Sequence, residues 1–379
     1  TPKPSSAASD VYKRQAVASI GQKCASAPLP PLKLTSILSK NRSSASALTF
    51  TLIPVSFSNC GIKDLTPSNT GCSFIKIVIV FPECAFQSKA FAMLNENSID
   101  VDIKNNMSRT IIPSTGELIP VIGLGTSRVF DANLNEKSLN PRKKIVKALL
   151  DHGGSLIDTS PMYGKAEEVT GKIAQDLKVN DRLFLATKVW IEGKEAGEIQ
   201  MNESSKKLNK AVIDLMQIHN LLDWKTHIKT LYDWKEQGKI NYIGISHFRS
   251  NAFSQIEKII TKERIDFAQF NYSLQEREAE KRLLPLCKEK GVATMINRPF
   301  MRGKLFKAVA KKKLPSWAYE YNMNTWSQFF LKFILANPAV TSIIPATSNP
   351  AHMVDNLFGG IGPIPGVDLQ KKMEEIVQI

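Results

Sequence analysis

Residues 156–189 read LIDTSPMYGKAEEVTGKIAQDLKVNDRLFLATKV, and this stretch decides the fold. The apolar run at 156–159 predicts a strand, the helical spacing of apolar residues at 166–177 predicts an amphipathic helix, and the run at 183–189 predicts a second strand. A strand, a helix and a strand in this order form a βαβ unit with parallel strands. The number of such units along the chain therefore determines the architecture.

The same alternation continues on both sides of this unit. Further strands are predicted at 121–125, 215–219, 242–246, 267–271, 293–297 and 342–345, and further helices at 142–150, 196–208, 226–237, 252–262, 279–290, 326–335 and 351–357. Eight strands, each followed by a helix over roughly 240 residues, predict an α/β fold of the (β/α)8 TIM-barrel type. An open doubly wound sheet would favour a Gly-x-Gly-x-x-Gly turn after its first strand, and the turn at 123–126 lacks the third glycine.

The chain upstream of the barrel pattern has a different character. Residues 110–120 predict a β-hairpin around a Gly-containing turn, ahead of the first barrel strand. Residues 1–106 are rich in Ser and Pro, are sparser in charge than the rest, and show no sustained helical or strand period. We therefore predict a low-complexity extension of no derivable fold at 1–106, either non-native or disordered, and a barrel domain at 107–379. Met107 is a candidate start of the native chain.

The composition is that of a globular protein with a sizeable core. The 379 residues are 43% hydrophobic, and the formal net charge is +15. The basic residues are mixed with acidic ones along helical patterns, so we interpret them as a solvated surface and predict no nucleic-acid partner. The longest apolar run, at 75–81, is far shorter than the roughly 20 residues that span a bilayer, and the first residues lack a secretory signal pattern. We predict a cytoplasmic monomer with no membrane partner.

The five cysteines give no sign of a metal or redox site. They form no C-x-x-C pair and have no His at metal-ligand spacing, so no metal is predicted. Cys287 falls within a helical pattern, which is typical of a small core residue. The other four precede the barrel and are Cys24, Cys60, Cys72 and Cys84.

Polar residues stand at the ends of three neighbouring strands of the predicted barrel. The second strand ends in Asp158 and leads into a loop that carries Tyr163. The third strand ends near Lys188, and the fourth ends at His219. Active sites of such barrels are built at the C-terminal ends of the strands. Each of these side chains could be structural on its own, but their joint placement predicts one site.

This set of side chains suits carbonyl reduction. Hydride delivered to a carbonyl carbon leaves an alkoxide that must be protonated as it forms. Tyrosine, with an ordinary pKa of about 10, is a weak acid near neutrality, and a buried Lys188 beside the phenol of Tyr163 would lower that pKa. Asp158 would hold Lys188 charged and in place, and His219 could polarise and orient the substrate carbonyl. No side chain here supplies a hydride, so a nicotinamide cofactor is required.

At these residues the chain resembles the aldo/keto reductase family, and the likeness spans essentially all of 107–379. The resemblance implies NADPH-dependent reduction of an aldehyde or ketone by a catalytic tetrad of Asp158, Tyr163, Lys188 and His219, with Tyr163 as general acid. The motifs occur in the family's order and at its spacing, and they are Ile122-Gly-Leu-Gly-Thr126, Ile157-Asp-Thr-Ser-Pro-Met-Tyr-Gly164, Ala186-Thr-Lys-Val-Trp190, Asp214-Leu-Met-Gln-Ile-His219 and Ile243-Gly-Ile-Ser-His247.

The same likeness implies which residues hold the cofactor. The residues at the nicotinamide carboxamide would be Ser246, His247 and Gln269, and those near its ribose would be Gly125, Thr126 and Asp158. The loop after the seventh strand would embrace the pyrophosphate through Asn297, Arg298, Pro299, Phe300 and Arg302. The chain departs from the family at two of these positions. His247 stands where Asn is usual, and Asn297 replaces an aromatic residue that stacks on nicotinamide.

The last strand-to-helix turn has the features of an anion site. Asn349 is a good N-cap and Pro350 suits the first helical position, so backbone N–H groups at the helix N-terminus point at an anion. Family members specific for NADP often carry Lys and Arg where this chain has Ala346 and His352. We predict NADPH as the cofactor, with NAD as the alternative. The residues of this turn expected to contact the cofactor are Pro345, Thr347, His352 and Asn356.

An apolar pocket is predicted beside the tetrad, which favours a small aldehyde, ketone or quinone-like substrate over a polyanion. Its candidate residues are Met162, Trp190, Leu222, Trp224, Phe300 and Trp317. Trp224 and Trp317 are also compatible with plain core or rim packing. Two other functions are compatible with the sequence: a Schiff-base lyase that uses Lys188, and an NADPH-binding regulatory subunit of membrane proteins with little turnover.

Overall fold

The computed structural model describes residues 107–377 and, for the backbone alone, three short strands upstream. These strands pair antiparallel in the order β1-β2-β3 and form a small sheet of their own. They are β1 (Ser36–Ile37), β2 (Ala45–Phe50) and β3 (Val78–Pro82). The rest of the predicted extension, with its four cysteines, lies outside the described residues.

A β-hairpin precedes the barrel. Its strands β4 (Arg109–Ile111) and β5 (Leu118–Pro120) pair antiparallel. The turn needs Gly116, because its φ of +80° is costly for a residue with a Cβ. Ile112 and Ile119 are buried against the lower interior of the barrel, so the hairpin closes its N-terminal end. The predicted hairpin is confirmed.

Eight parallel strands form the barrel, and neighbours in the sequence are neighbours in the sheet. Bridges between Ile122 and Ile343 and between Gly125 and Ala346 join the first strand to the last. The predicted (β/α)8 barrel is confirmed. The strands are β6 (Leu124–Gly125), β7 (Leu156–Asp158), β8 (Phe184–Val189), β9 (Ile213–His219), β10 (Ile240–Ser246), β11 (Phe267–Asn271), β12 (Ala293–Asn297) and β13 (Ser342–Ile343).

Helices follow the strands and pack around them. They are α1 (Glu136–Asp151), α2 (Ala166–Leu177), α3 (Lys194–Leu208), α4 (Trp224–Glu236), α5 (Phe253–Lys262), α6 (Leu283–Lys290), α7 (Lys304–Ala308), α8 (Trp326–Leu335), α9 (Pro350–Phe358) and α10 (Val367–Ile376). The short α7 and the C-terminal α10 were not predicted. The predicted helix at 279–290 is broken, because Arg282 leaves the helical conformation with a ψ of −45° at a φ of −148°.

Helix α1 begins earlier than the sequence predicts. The predicted start was 142, directly after Pro141, and proline disrupts a helix interior. The helix begins before the proline because the side chain of Asn135 caps it, accepting a hydrogen bond from the backbone N of Ser138 at 3.0 Å. Leu139, in this added turn, is buried in the core. The cap and the burial of Leu139 offset the free energy that is lost because proline cannot donate a backbone hydrogen bond.

Strand alternation decides which side chains enter the barrel. On β9, Leu215, Gln217 and His219 point inward, whereas Met216 and Ile218 pack outward with the helices. Along this strand the interior changes from apolar near the hairpin to polar at the C-terminal end. The fold therefore gathers polar side chains at one end of the barrel.

Nowhere in 107–377 or the three upstream strands does a helix have the length and apolarity needed to cross a bilayer. The same residues contain no group of three or more His, Cys, Asp or Glu side chains that could hold a metal ion.

Cys287 is a buried core residue, as predicted, and burial raises the pKa of its thiol to about 12.

Candidate active site

A buried ion pair lies at the C-terminal end of the barrel. Nζ of Lys188, at the end of β8, lies 2.8 Å from Oδ1 and 2.7 Å from Oδ2 of Asp158, at the end of β7. It also donates to the carbonyl oxygen of Thr159 at 2.6 Å, so its donors are all engaged. Both charged side chains are closed to solvent. A buried ammonium is tolerated only where such partners replace its water.

Two glutamines complete the surroundings of Asp158. Nε2 of Gln217 and Nε2 of Gln269 each donate to Oδ1 of Asp158 at 2.9 Å. Gln269 was predicted as a site residue, but Gln217 was not. The signal for Gln217 was available, because it lies two residues before His219 on a strand and so shares its inward face. Together these contacts fix the carboxylate and, through it, Lys188.

The phenol of Tyr163 lies against this ion pair. Nζ of Lys188 is 5.2 Å from the centroid of the Tyr163 ring. Burial raises the pKa of Tyr163, the charge of Lys188 opposes that rise without cancelling it, and Asp158 adds to it. Lys188 therefore acts on this pKa in the predicted direction, but burial decides the net shift, which is upward. The phenol keeps its proton at neutral pH and is available as a proton donor.

His219 is a neutral imidazole beside that phenol. The two rings meet edge-on with centroids 5.7 Å apart. Burial, with smaller contributions from the charges of Lys188 and His247, lowers the pKa of His219 to about 2. A neutral imidazole can donate or accept a hydrogen bond, but it holds no extra proton to transfer near neutrality. His219 therefore differs from Tyr163, whose phenol can donate a proton.

These groups face a cavity of about 710 Å³, a size typical of small-molecule sites. Lys188 lies buried behind it. The predicted residues that line the cavity are Gly125, Thr126, Asp158, Met162, Tyr163, His219, Ser246, His247, Gln269, Asn297, Arg298, Pro299, Phe300 and Arg302. The predicted residues that do not line it are Trp190, Leu222, Trp224, Trp317, Pro345, Thr347, His352 and Asn356.

The predicted apolar pocket is only partly assembled. Trp190 stands near the mouth, 38% exposed, with its ring centroid 6.4 Å from that of His219. Trp317 packs on Phe329 instead, at 5.9 Å between centroids. Phe306, which sequence reasoning missed, lines the cavity beside Phe300 at 4.9 Å. The apolar wall therefore comes from Met162 in the loop after β7, from the loop after β12 and from α7.

Four arginines crowd one side of this site. Burial lowers the pKa of Arg298, and the positive charges of Arg302, Arg249 and Arg128 lower it further, while only Glu276 opposes them. Of the three neighbouring arginines, Arg302 was predicted and Arg128 was not, although both line the cavity. Guanidinium groups that repel one another are stabilised by an anion placed among them. This side of the cavity is suited to phosphate.

Two buried acceptors in the cavity wall lack partners. Oδ1 of Asn297 and Oδ1 of Asn220 make no hydrogen bond within the described part of the chain, and both residues line the cavity. Nδ2 of Asn297 donates to the carbonyl oxygen of His247 at 3.3 Å, which fixes the amide. Buried acceptors are normally satisfied, so a ligand with N–H or O–H donors fits here.

The turn before α9 has the predicted cap. The side chain of Asn349 accepts a hydrogen bond from the backbone N of Ala351 at 2.9 Å, and Pro350 is the first helical residue. The hydroxyl of Thr347 accepts from the backbone N of Asn349 at 3.1 Å. Oδ1 of Asn356 is occupied by the hydroxyl of Ser327 at 2.6 Å. The turn thus presents backbone N–H groups rather than charged side chains.

A second cavity, of about 970 Å³, lies at the opposite end of the barrel. Two of its charged groups have partners: Lys235 contacts Asp266 at 2.7 Å, and Glu263 accepts from the hydroxyl of Tyr232 at 3.0 Å. It lies at the N-terminal ends of the strands, where residues of such barrels serve stability. We therefore assign the active site to the smaller cavity.

The fold and this site define a class of barrel reductases, and sequence comparison identifies the family. The chain belongs to the aldo/keto reductase family, which it matches over residues 121–365. This confirms the family predicted from the sequence. The chain is 31% identical to the aldo-keto reductase YhdN of Bacillus subtilis over 217 residues, which are 52% of this chain and 64% of that protein. It is 26% identical to the glyoxal reductase of the same organism over 258 residues, covering 66% and 87% of the two chains.

Solved structures agree on the fold. The thermostable aldo-keto reductase Tm1743, in complex with the inhibitor epalrestat, is 25% identical with a TM-score of 0.60, covering 71% of this chain and 100% of that one. An aldo/keto reductase from Klebsiella pneumoniae, in complex with NADP and acetate, is 22% identical with a TM-score of 0.60 and coverage of 71% and 95%. At such identities the second comparison establishes the barrel alone.

Proposed function

We propose that this protein reduces the carbonyl group of a small aldehyde or ketone with NADPH, as a cytoplasmic monomer. One observation carries the proposal: the protonated phenol of Tyr163 faces a cavity, with the ion pair of Lys188 and Asp158 behind it and a neutral His219 beside it. The relatives named as reductases support the same reaction.

The lining of the cavity is suited to the pyrophosphate and nicotinamide of a dinucleotide. Its arginine side would hold the pyrophosphate through Arg298 and Arg302. The unpartnered amide oxygens of Asn220 and Asn297 would accept from hydroxyl or amide groups of the cofactor. A structural neighbour crystallised with NADP supports NADPH as the cofactor. When bound, this group supplies the hydride.

Tyr163 is the group that protonates the product. As negative charge develops on the carbonyl oxygen, the Tyr163 hydroxyl donates its proton to that oxygen. The charge of Lys188 stabilises the phenolate that forms, because it favours the ionised phenol. Asp158 keeps Lys188 charged and fixed in place. The site then takes a proton from solvent before the next turnover.

His219 has a different part in the reaction. Its pKa of about 2 leaves it neutral at every working pH, so it cannot serve as the acid. A neutral N–H aimed at the carbonyl oxygen would orient the substrate and stabilise the developing charge. The apolar wall of Met162, Phe300 and Phe306 would hold the rest of a small substrate.

The geometry disfavours a Schiff-base lyase. A lysine nucleophile must be uncharged and must reach the substrate carbonyl. Lys188 is fully buried, pairs with Asp158, and has its ammonium donors engaged. It can therefore neither attack a carbonyl nor leave its position cheaply.

The test is a screen of NADPH and NADH oxidation against aldehydes, ketones and dicarbonyls. Glyoxal and methylglyoxal come first, because relatives are named glyoxal reductase and methylglyoxal reductase. We expect substrate-dependent oxidation, faster with NADPH than with NADH. Tight NADPH binding without turnover on any compound would instead support a regulatory subunit, and trapping of substrate on Lys188 by borohydride would support a lyase.

A further inference from the structure

The hydroxyl of Ser160 contacts the imidazole of His219 from the loop after β7. Its Oγ lies 3.0 Å from Nδ1 of His219. The same Oγ accepts a hydrogen bond from the backbone N of Met162 at 3.2 Å. Ser160 is fully buried, so neither water nor a ligand reaches its hydroxyl. The contact is therefore an internal one, between the loop that carries Tyr163 and the end of β9.

The proton count around Ser160 decides the direction of this bond. A serine hydroxyl has one proton to donate and two lone pairs that accept. Met162 N–H uses one lone pair, and Nδ1 of His219 is the only other partner that Oγ has within the described residues. If Nδ1 carried the proton, the buried hydroxyl proton of Ser160 would have no acceptor, which is unfavourable. The hydroxyl therefore donates to Nδ1.

The other ring nitrogen must then carry the imidazole proton. His219 is neutral, so it has one N–H, and an unprotonated Nδ1 leaves that proton on Nε2. Nε2 makes no hydrogen bond to any described residue, while His219 lines the cavity. The partner of Nε2–H is therefore a group within the cavity.

We propose that Ser160 is a positioning residue that fixes the tautomer of His219, so that an Nε2–H donor is presented to the substrate carbonyl oxygen. This inference rests on the proposed carbonyl reduction. The neighbours that face the ring from other elements are Tyr163, Trp190, Lys188 and His247. No described residue other than Ser160 hydrogen-bonds Nδ1, so none of these neighbours can replace its hydroxyl.

Nitrogen spectra test the tautomer directly. Protein labelled with 15N at histidine gives long-range 1H–15N correlations that distinguish protonated from unprotonated ring nitrogens. The chain has five histidines, and the His219 signals are those lost in His219→Gln. We expect an unprotonated Nδ1 and a protonated Nε2 in the wild-type protein, and a mixture of tautomers in Ser160→Ala.

Kinetics test the consequence. Ser160→Ala should lower kcat about tenfold, because part of the enzyme then presents no donor to the carbonyl, and should leave the KM for NADPH unchanged. Ser160→Thr keeps the hydroxyl and should restore both the tautomer and most of kcat. The matched control is Ser342→Ala, which removes another buried serine hydroxyl, bonded to the carbonyl oxygen of Pro120 far from His219, and should leave both readouts unchanged.

The outcomes separate this inference from the proposed function. A wild-type spectrum with the proton on Nδ1 overturns it, and so does a Ser160→Ala protein with the wild-type tautomer and wild-type kcat. The spectra need no turnover. If the wild-type protein reduces no carbonyl compound, the proposed function fails while the tautomer assignment is still decided. If Ser160→Thr does not fold, the spectra of Ser160→Ala remain decisive.

Discussion

The ammonium nitrogen of Lys188 lies 5.2 Å from the centroid of the Tyr163 ring. The same nitrogen is held at 2.7 Å from Oδ2 of Asp158, whose negative charge works against it at the phenol. Burial of Tyr163 therefore dominates, and the phenol stays protonated. In the proposed reaction, this protonated phenol is the group that donates the proton, and the charge of Lys188 favours the phenolate that results.

Loss of the phenolic proton should stop the reaction. We expect Tyr163→Phe to lower kcat by about a thousandfold and to leave cofactor affinity nearly unchanged, because the ring remains and only the acid is removed. Steady-state kinetics and NADPH titration measure both. Tyr232→Phe is the matched control, since it removes a hydroxyl that donates to Glu263 at the other end of the barrel. Turnover of Tyr163→Phe within about threefold of wild type would exclude a tyrosine acid.

Removal of the lysine charge should move the alkaline limb of the pH–rate profile. For Lys188→Met we expect greatly reduced turnover and a higher apparent pKa of Tyr163, because the cation that opposes the effect of burial is gone. The rate should therefore persist to higher pH than in the wild type. The measurement is kcat/KM against pH.

A second variant separates charge from structural damage. Lys188→Met leaves Asp158 as a buried charge without its partner, which destabilises a fold by about 3–5 kcal/mol. Adding Asp158→Asn removes that charge, and it should recover stability and bring the alkaline limb back toward the wild-type position. A profile that is the same in all three proteins would mean that Lys188 does not act on the phenol.

The arginine side of the cavity should set cofactor affinity. We expect Arg298→Ala to raise the KM for NADPH by roughly ten- to a hundredfold with little change in kcat, because a charge-assisted hydrogen bond to phosphate is lost. Raised salt should weaken the difference between variant and wild type. Arg264→Ala removes one exposed positive charge at the opposite end of the barrel and should leave KM unchanged. Equal KM values for both variants would remove Arg298 from the cofactor site.

Because of Lys332 on α8, the free energy of unfolding should increase as the pH rises into the alkaline range. Lys332 is fully buried, no carboxylate of the described residues pairs with it, and its Nζ donates to the carbonyl oxygens of Ile361 at 2.6 Å and Pro363 at 3.0 Å. Burial lowers its pKa from 10.5 to about 8. Between these values the unfolded chain binds more protons than the folded one, so the free energy of unfolding increases with pH by about 3 kcal/mol from this group.

Comparison with Lys332→Met isolates that contribution. Urea denaturation from pH 8 to 10.5 should show the wild type gaining stability relative to Lys332→Met as pH rises, because the penalty for burying the charged form disappears. Lys372→Met changes an exposed lysine on α10 and should run parallel to the wild type. A constant difference between the wild type and Lys332→Met would show that Lys332 keeps its ordinary pKa.

The barrel could be predicted because its signal is local. Each strand is a short apolar run and each main helix carries an apolar stripe, so periodicity alone located most of them. Helix α10 was missed because Met373 is its only fully buried residue, which leaves a weak stripe. The start of α1 was misplaced because the cap at Asn135 outweighed Pro141.

The site residues that stand at strand ends could be predicted, because the barrel brings the C-terminal ends of its strands together. Asp158, Lys188 and His219 follow from that rule alone. The hydroxyl of Ser160 and the crowding of the arginines arise between separate loops, whose approach no local pattern encodes. The direction of the pKa shift at Tyr163 depends on the balance between burial and Asp158, which raise the pKa, and Lys188, which lowers it, and this balance exists only in three dimensions.

A chain that begins at Met107 should fold, bind NADPH and turn over like the full chain. Met107 is buried in the core, and the backbone N of Ser108 donates to the carbonyl oxygen of Gly360 at 2.8 Å, so the barrel is anchored from its first described residues. We expect the two chains to melt within about 3 °C of each other and to titrate identically with NADPH. A chain that begins at 121 is the control for sensitivity, because it lacks the hairpin that closes the barrel interior and should melt much lower. If the chain from Met107 melts as low as that control, or fails to bind NADPH, then residues before 107 belong to the folded enzyme and the predicted domain boundary is wrong.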